Sequence, residues 1–131
     1  MGGKVNSWEL TKQIEANWIK DRPIVSEDNN LEKVGELLQI EAVELIEAIA
    51  VYAVVQDEYT KKEVLQEASD VGLFLMAVFR LLEADMLEEF REKTVVNSLR
   101  YPASECQDGV WVQVYPKLKA SQQPIKDEFY A

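Results

Sequence analysis

The sequence predicts an all-α protein, built as a four-helix antiparallel bundle with an irregular C-terminal tail. Three observations support this fold class. Apolar side chains recur at helical spacing over most of residues 7 to 100, proline and glycine are sparse there, and the breaks between periodic segments are short. Helices joined by short connections pack as antiparallel neighbours. A chain of 131 residues is long enough for one domain with its own core.

Residues that start or stop helices delimit the four segments. Pro23 closes the first, the pair Gln56-Asp57 separates the second from the third, and Pro102 stops the fourth. The third helix is predicted to be largely buried, because Arg80 is the one charge between Val71 and Leu82. The four predicted helices span residues 7–21, 31–55, 58–83 and 86–99.

The last 29 residues differ in kind from the rest. They contain Gly109, Pro116 and Pro124, and an apolar alternation runs from Val110 to Tyr115. This pattern predicts a tail with room for one short strand. Residues 1–102 are therefore interpreted as the helical domain, and residues 103–131 as a C-terminal tail that packs on a partner subunit.

Composition excludes several classes of function. The formal net charge is −10 and basic residues form no run, which argues against nucleic acid and anionic membranes as partners. Histidine is absent and Cys106 is the single cysteine, so His-dependent catalysis, His-ligated zinc and an internal disulfide are excluded. No leader or membrane-length apolar stretch is visible, and we expect a cytoplasmic protein.

Acidic residues interrupt the apolar face of the third helix. Successive helical residues turn by about 100°, so Glu67 and Asp70 lie about 40° and 20° from Glu63. Phe74 and Ala77 fall in the same arc. The acids therefore share the face that is expected to pack against the core.

The second helix shows the same feature. Glu44 lies about 60° from Glu41, and Leu37 and Leu45 fall within about 40° of Glu41. Four inward carboxylates, Glu41, Glu44, Glu67 and Asp70, would repel one another unless a cation neutralised them, and oxygen ligands favour Mg²⁺ or Mn²⁺. The alternative is that these acids form ordinary solvated faces.

The fourth helix supplies donors suited to phosphate. Lys93, Asn97 and Arg100 stand at i, i+4 and i+7 and share one face. The alternative for this trio is that cations in the last turn simply favour the helix dipole.

Three short motifs resemble one known family. Glu41-Ala42-Val43-Glu44 and Glu67-Ala68-Ser69-Asp70 are followed by a Lys-x-x-x-Asn-x-x-Arg element over residues 93–100. In this order they resemble the MazG-like all-α nucleoside triphosphate pyrophosphatases. Tyr101-Pro102 after the third motif resembles the branch that contains the dCTP pyrophosphatases. The resemblance covers about residues 8 to 102.

The resemblance implies an enzyme that hydrolyses (d)NTP to (d)NMP and pyrophosphate, in nucleotide-pool house-cleaning. It implies that the four acids hold Mg²⁺, that Glu41 also acts as general base on a metal-activated water, and that Lys93, Asn97, Arg100 and Tyr101 contact the nucleotide. The chain departs from the family at Ile40, where many members carry a further Glu. Val51 and Tyr52 stand where the dCTP branch has base-stacking aromatics, so the sequence specifies neither the base nor the number of metal ions.

Aromatic residues of the first helix offer another candidate for base recognition. Trp18 and Trp8 could form a stacking wall, since aromatic faces accept any base. The alternative is that both are core tryptophans.

Quaternary structure follows from a second apolar face. Val43, Ile46 and Ala50 lie opposite the Glu41 stripe, and a four-helix layer covers only one side of each helix. We therefore expect a homo-oligomer, a dimer or a tetramer. The same surface suits a function of another class, a non-catalytic helical dimerisation or adaptor module that keeps the fold.

Overall fold

The structure is a computed structural model, which describes the backbone of residues 7–20, 30–107 and 111–131. Every regular element in these ranges is a helix and no strand occurs among them. The all-α prediction is thereby confirmed for the described part of the chain. Pro23, Gly109 and Val110 lie outside it. The helices are α1 (Ser7–Lys20), α2 (Asn30–Val55), α3 (Glu58–Leu81), α4 (Met86–Arg100), α5 (Trp111–Ser121) and α6 (Gln123–Phe129).

The chain forms two compact units, residues 1–84 and 85–131. In the N-terminal unit α2 and α3 make the most extensive helix contact, and α1 packs on α3. The link between α2 and α3 is tight because Gln56 adopts a left-handed backbone with φ of 54°. Asp57 then caps α3 by accepting the Thr60 backbone N–H at 2.7 Å. This hydrogen bond is the main reason that the pKa of Asp57 is lowered.

The core of the N-terminal unit is centred on Val34 of α2 and on Phe74 and Ala77 of α3, all buried. Trp18 of α1 meets Phe74 edge to face, with ring centroids 6.0 Å apart. The partly buried side chains packed around this centre are Trp18, Leu37, Leu38, Val78 and Leu81. The core therefore lies at one end of the α2–α3 hairpin, nearer the first turns of α2 and the last turns of α3.

An ion pair joins α1 to α3 beside this core. The Glu15 side chain is 3% exposed and that of Arg80 is 42% exposed. Arg80 Nε donates to both Glu15 oxygens at 3.2 Å, and Arg80 Nη2 donates to Glu15 Oε2. Arg80, the one charge in the apolar half of α3, is thereby matched by a buried carboxylate.

The C-terminal unit begins with Asp85, whose carboxylate accepts the backbone N–H groups of Leu87 and Glu88 and caps α4. Val96 is fully buried on α4. α6 contacts both α4 and α5. Within the described helices, none combines the length and the apolar character needed to cross a membrane.

The prediction of an irregular tail with a short strand is wrong for residues 111–131, which form α5 and α6. Trp111 and Tyr115 are four residues apart, so a helix brings both rings to one face. There they meet Tyr101, at centroid distances of 5.3 Å and 5.1 Å. Pro116 removes only one helical hydrogen bond from α5. Pro124 lies in the first turn of α6, where proline is tolerated.

Candidate metal centre

Carboxylates from α2 and α3 converge on one point of the hairpin. Glu41, Glu67 and Asp70 each offer one oxygen, and these oxygens all lie within 4.8 Å of one another. The motif spacing explains the convergence, because residues three apart on a helix share a face and the two helices of the hairpin face each other. Three of the four acids predicted from the sequence are thus brought together.

Two oxygens in this cluster lack a partner. Glu41 Oε2 and Glu67 Oε2 are shielded from solvent and accept no hydrogen bond among the described residues. Buried polar atoms in folded proteins are almost always satisfied, by protein, water or an ion. Two unpartnered carboxylate oxygens beside a third carboxylate fit a site that ligates a cation.

Glu44 lies beside the cluster and is itself exposed. Its negative charge acts on the carboxylates of Glu41 and Glu67. Desolvation is the largest cause that raises the pKa of both these residues, and the charge of Glu44 raises both further. The fourth predicted acid therefore interacts with the cluster without belonging to the tight trio.

The donor set fits a hard divalent ion. The cluster offers carboxylate oxygens alone, from two helices, and such ligands select Mg²⁺ or Mn²⁺ over softer metals. A divalent charge would also remove the repulsion that raises the pKa of Glu41 and Glu67. The cluster can thus hold a metal ion.

A groove of about 310 Å³ between α2 and α3 adjoins the cluster. Glu67 belongs both to the acidic cluster and to the wall of this groove, and Glu44 also lines the groove. Its lining residues are Glu44, Glu47, Ala48, Val51, Tyr59, Thr60, Glu63 and Glu67. Sequence reasoning did not single out Tyr59, although it stands one and two helical turns before Glu63 and Glu67 on the same face.

The predicted phosphate contacts all lie in the C-terminal unit. Asn97 and Tyr101 line a pocket of about 280 Å³ together with Trp111 and Tyr115. The Lys93 amino group lies 6.0 Å from the centre of the Tyr130 ring. Arg100 is 1% exposed. Its role as a phosphate ligand stays a prediction.

The hydrogen bonds of Arg100 explain why it is buried. Arg100 Nη2 donates to the Lys119 carbonyl and, at 3.3 Å, to Gln123 Oε1, while its Nε is shielded and has no partner among the described residues. The guanidinium also lies 5.3 Å from the Tyr101 ring centre. α5 and α6, which the sequence did not predict, therefore surround the last residue of α4.

Trp18 lies against the core rather than in the groove. Its ring contacts Phe74 and packs on the Val34 cluster, which is the alternative that the sequence left open for it. Base stacking by Trp18 stays a prediction.

No family model, curated protein or solved structure matches this chain. The residues themselves therefore carry the functional assignment.

Proposed function

We propose that this protein is a Mg²⁺-dependent nucleoside triphosphate pyrophosphohydrolase of the MazG-like all-α type, acting in a cytoplasmic nucleotide pool. One observation carries the proposal: oxygens of Glu41, Glu67 and Asp70 lie within 4.8 Å of one another. Two of these residues also have shielded oxygens without a partner. The family motifs place metal ligands at these positions. A four-helix bundle in which α4 is the fourth member is part of the proposal.

Each group has a role in this proposal. Glu41, Glu44, Glu67 and Asp70 hold the metal, and Glu41 also accepts a proton from the attacking water. When bound, Mg²⁺ neutralises phosphate charge and activates the water nucleophile. Lys93 supplies positive charge to the phosphates, as does Arg100. In the groove beside the acids, Tyr59 offers an exposed ring against which a base can stack.

The direct test measures pyrophosphate release from a panel of the common NTPs and dNTPs at fixed Mg²⁺, with EDTA as the metal-free arm. We expect activity with Mg²⁺ or Mn²⁺ and none with EDTA. Glu44→Gln and Asp70→Asn should abolish turnover while helical circular dichroism is retained, because each removes a metal ligand. Glu36→Gln, an exposed residue of the same helix as Glu44, is the matched control and should be fully active.

Near-normal activity of Glu44→Gln or Asp70→Asn would show that the residue is not a metal ligand.

Lys93→Ala should weaken the binding of the nucleoside triphosphate much more than the binding of Mg²⁺. Arg100→Ala is a poorer probe of phosphate binding, since it also removes the hydrogen bonds to Lys119 and Gln123 and should destabilise the C-terminal unit.

The second candidate is a non-catalytic dimerisation or adaptor module. Exposed apolar side chains on α2 favour it, since an unpaired apolar face marks an association surface. These side chains include Ile40, Val43, Ile46, Val51 and Val54. Association without pyrophosphate release from any nucleotide, at saturating Mg²⁺ or Mn²⁺, would support this candidate over the enzyme.

A further inference from the structure

The C-terminal unit contains a pocket of about 280 Å³ that residues of α4 and α5 line. We call it the aromatic pocket. Its lining residues are Thr94, Asn97, Ser98, Tyr101, Trp111 and Tyr115. Thr94, Asn97 and Ser98 stand one turn apart on one face of α4, and Trp111 and Tyr115 share a face of α5. The pocket therefore joins a polar wall to an aromatic one.

Three rings form the aromatic wall. Tyr101 and Tyr115 lie nearly parallel, with 27° between their planes and centroids 5.1 Å apart. Trp111 meets both edge to face, at 90° to Tyr101 and 63° to Tyr115. Trp111 is 40% exposed and Tyr115 is 37% exposed, so both rings are accessible to a ligand. Flat walls in two orientations suit a flat ring, which can stack on one wall while its edge meets the other.

The polar wall can form hydrogen bonds with the edge of such a ring. The Asn97 side chain is half-buried and makes no hydrogen bond with any described residue, so its amide offers two N–H donors and a carbonyl acceptor. The hydroxyls of Thr94 and Ser98 donate to backbone carbonyls at 2.7 Å and 2.8 Å, and each keeps lone pairs that can accept. A donor beside an acceptor on Asn97 matches the edge of a nucleobase.

The charges around the pocket determine the class of ring that it suits. No residue of the described chain that lines it is charged, whereas carboxylates line the groove beside the metal cluster. The Arg100 guanidinium lies 5.3 Å from the Tyr101 ring centre, and the Lys119 amino group lies 5.7 Å from that of Tyr115. These two cations lie over the rings and repel a further cation. The pocket therefore suits a neutral ring better than an ammonium group.

We propose that the aromatic pocket binds a neutral planar heterocycle with a hydrogen-bond donor beside an acceptor, which is the chemistry of a nucleobase. Trp111 and Tyr115 supply the stacking surface, and Asn97 bonds to the edge of the ring. Stacking accepts every base, so the pocket recognises nucleobases as a class. The inference requires no metal, no phosphate and no hydrolysis. It assigns a ligand site to residues 103–131, and this site is separate from the exposed Tyr59 ring of the other unit.

The test titrates the full chain with cytidine, uridine and adenosine by calorimetry, in EDTA. These nucleosides carry no phosphate, so their binding reports on the base and the sugar alone. We expect each to bind with a dissociation constant of about 1 mM or less, the affinity reached by an uncharged ligand of this size. Ribose, which lacks the base, and tetramethylammonium, a cation, should not bind.

Variants of the pocket test the two walls. Trp111→Ala should weaken nucleoside binding about tenfold, the loss of one stacking contact, while Trp111→Phe retains a ring and should restore most of the affinity. Asn97→Ala should weaken binding about fivefold, because it removes the hydrogen bonds to the edge of the base. Val112→Ala is the matched control, since Val112 is 79% exposed on the same helix and does not line the pocket.

A second measurement locates the site without a variant. Irradiated 5-iodouridine crosslinks to an aromatic side chain on which it stacks, and mass spectrometry of the digest identifies the residue. We expect the crosslink on Tyr101, Trp111 or Tyr115. A crosslink confined to Trp18 or Tyr59 would overturn the inference. So would the absence of nucleoside binding, unchanged affinity in both Trp111→Ala and Asn97→Ala, or tighter binding of tetramethylammonium than of any nucleoside.

The two proposals can fail separately. Mg²⁺-dependent hydrolysis of nucleotides, with no nucleoside bound in EDTA, would leave the proposed function standing and overturn the aromatic pocket as a base site. Nucleoside binding that Trp111→Ala weakens, in a protein that hydrolyses no nucleotide, would do the reverse.

Discussion

The Glu15–Arg80 pair should contribute measurably to the stability of the N-terminal unit. Its geometry is that of a forked, charge-assisted contact, with the Glu15 carboxylate 3% exposed and the Arg80 side chain 42% exposed. At an effective dielectric constant of about 20, unit charges about 4 Å apart attract by about 4 kcal/mol. Desolvation of the carboxylate and ordering of the arginine oppose this attraction, and we expect a net coupling of about 2 kcal/mol.

A double-mutant cycle measures this coupling. Arg80→Met leaves a buried carboxylate unpaired and should lower the free energy of unfolding by about 3 kcal/mol, while Glu15→Gln should lower it by about 2 kcal/mol. The double variant should lose less than the sum by the coupling energy. Urea unfolding followed by circular dichroism gives the four free energies.

An exposed pair provides the control for this cycle. Arg91 and Glu88 form an i, i+3 contact on α4 with side chains 72% and 63% exposed, so their coupling should be about 0.4 kcal/mol. If the Glu15–Arg80 coupling were as small as that, the carboxylate would be solvated in solution and the reasoning from burial would be refuted.

Three further predictions concern the acidic cluster, the α2–α3 link and the exposed face of α2. The pKa of Glu41 and that of Glu67 are raised in the folded protein, so the folded protein binds these protons more tightly than the unfolded chain does. In EDTA, the melting temperature should therefore rise as the pH falls from neutral towards 4.5, the ordinary pKa of a glutamate. Glu41→Gln should flatten that profile, and a melting temperature that falls over the same range would contradict it. Gln56→Gly should raise the free energy of unfolding in urea by about 1 kcal/mol, because Gln56 has a φ of 54° and glycine adopts this left-handed backbone without strain. A loss of stability would show that the Gln56 side chain contributes more than the strain costs. Sedimentation at micromolar concentration should show a homo-oligomer that Ile46→Lys weakens, and a well-folded monomer of the unaltered chain would refute the association.

Local patterns in the sequence were sufficient to predict the first four helices. Their ends in the structure agree with the predicted ones to within about two residues. The convergence of Glu41, Glu67 and Asp70 was also predictable, because it needs only the angular period of two helices and a short link between them. The helices and this convergence are both determined by patterns within short stretches of the sequence.

Other features depend on contacts that the sequence pattern does not contain. Val110 to Tyr115 alternates like a strand, and two prolines follow it, yet the contact of Trp111 and Tyr115 with Tyr101 suits a helix. Arg80 was visible as an isolated charge, but its partner is 65 residues away in sequence. The burial of Arg100 could not be foreseen once residues 103–131 were taken as irregular.

The short link between α2 and α3 has a consequence for the folding pathway. All four acids lie between residues 41 and 70, on two helices connected by Gln56 and Asp57 alone. A hairpin of this kind closes a small loop and is expected to form early, before contacts between more distant segments. Its acids then meet while the rest of the chain is still unfolded, and their repulsion opposes closure. A divalent cation in the refolding buffer is therefore expected to accelerate folding, so that the ion of the proposed reaction would also assist the folding of the chain.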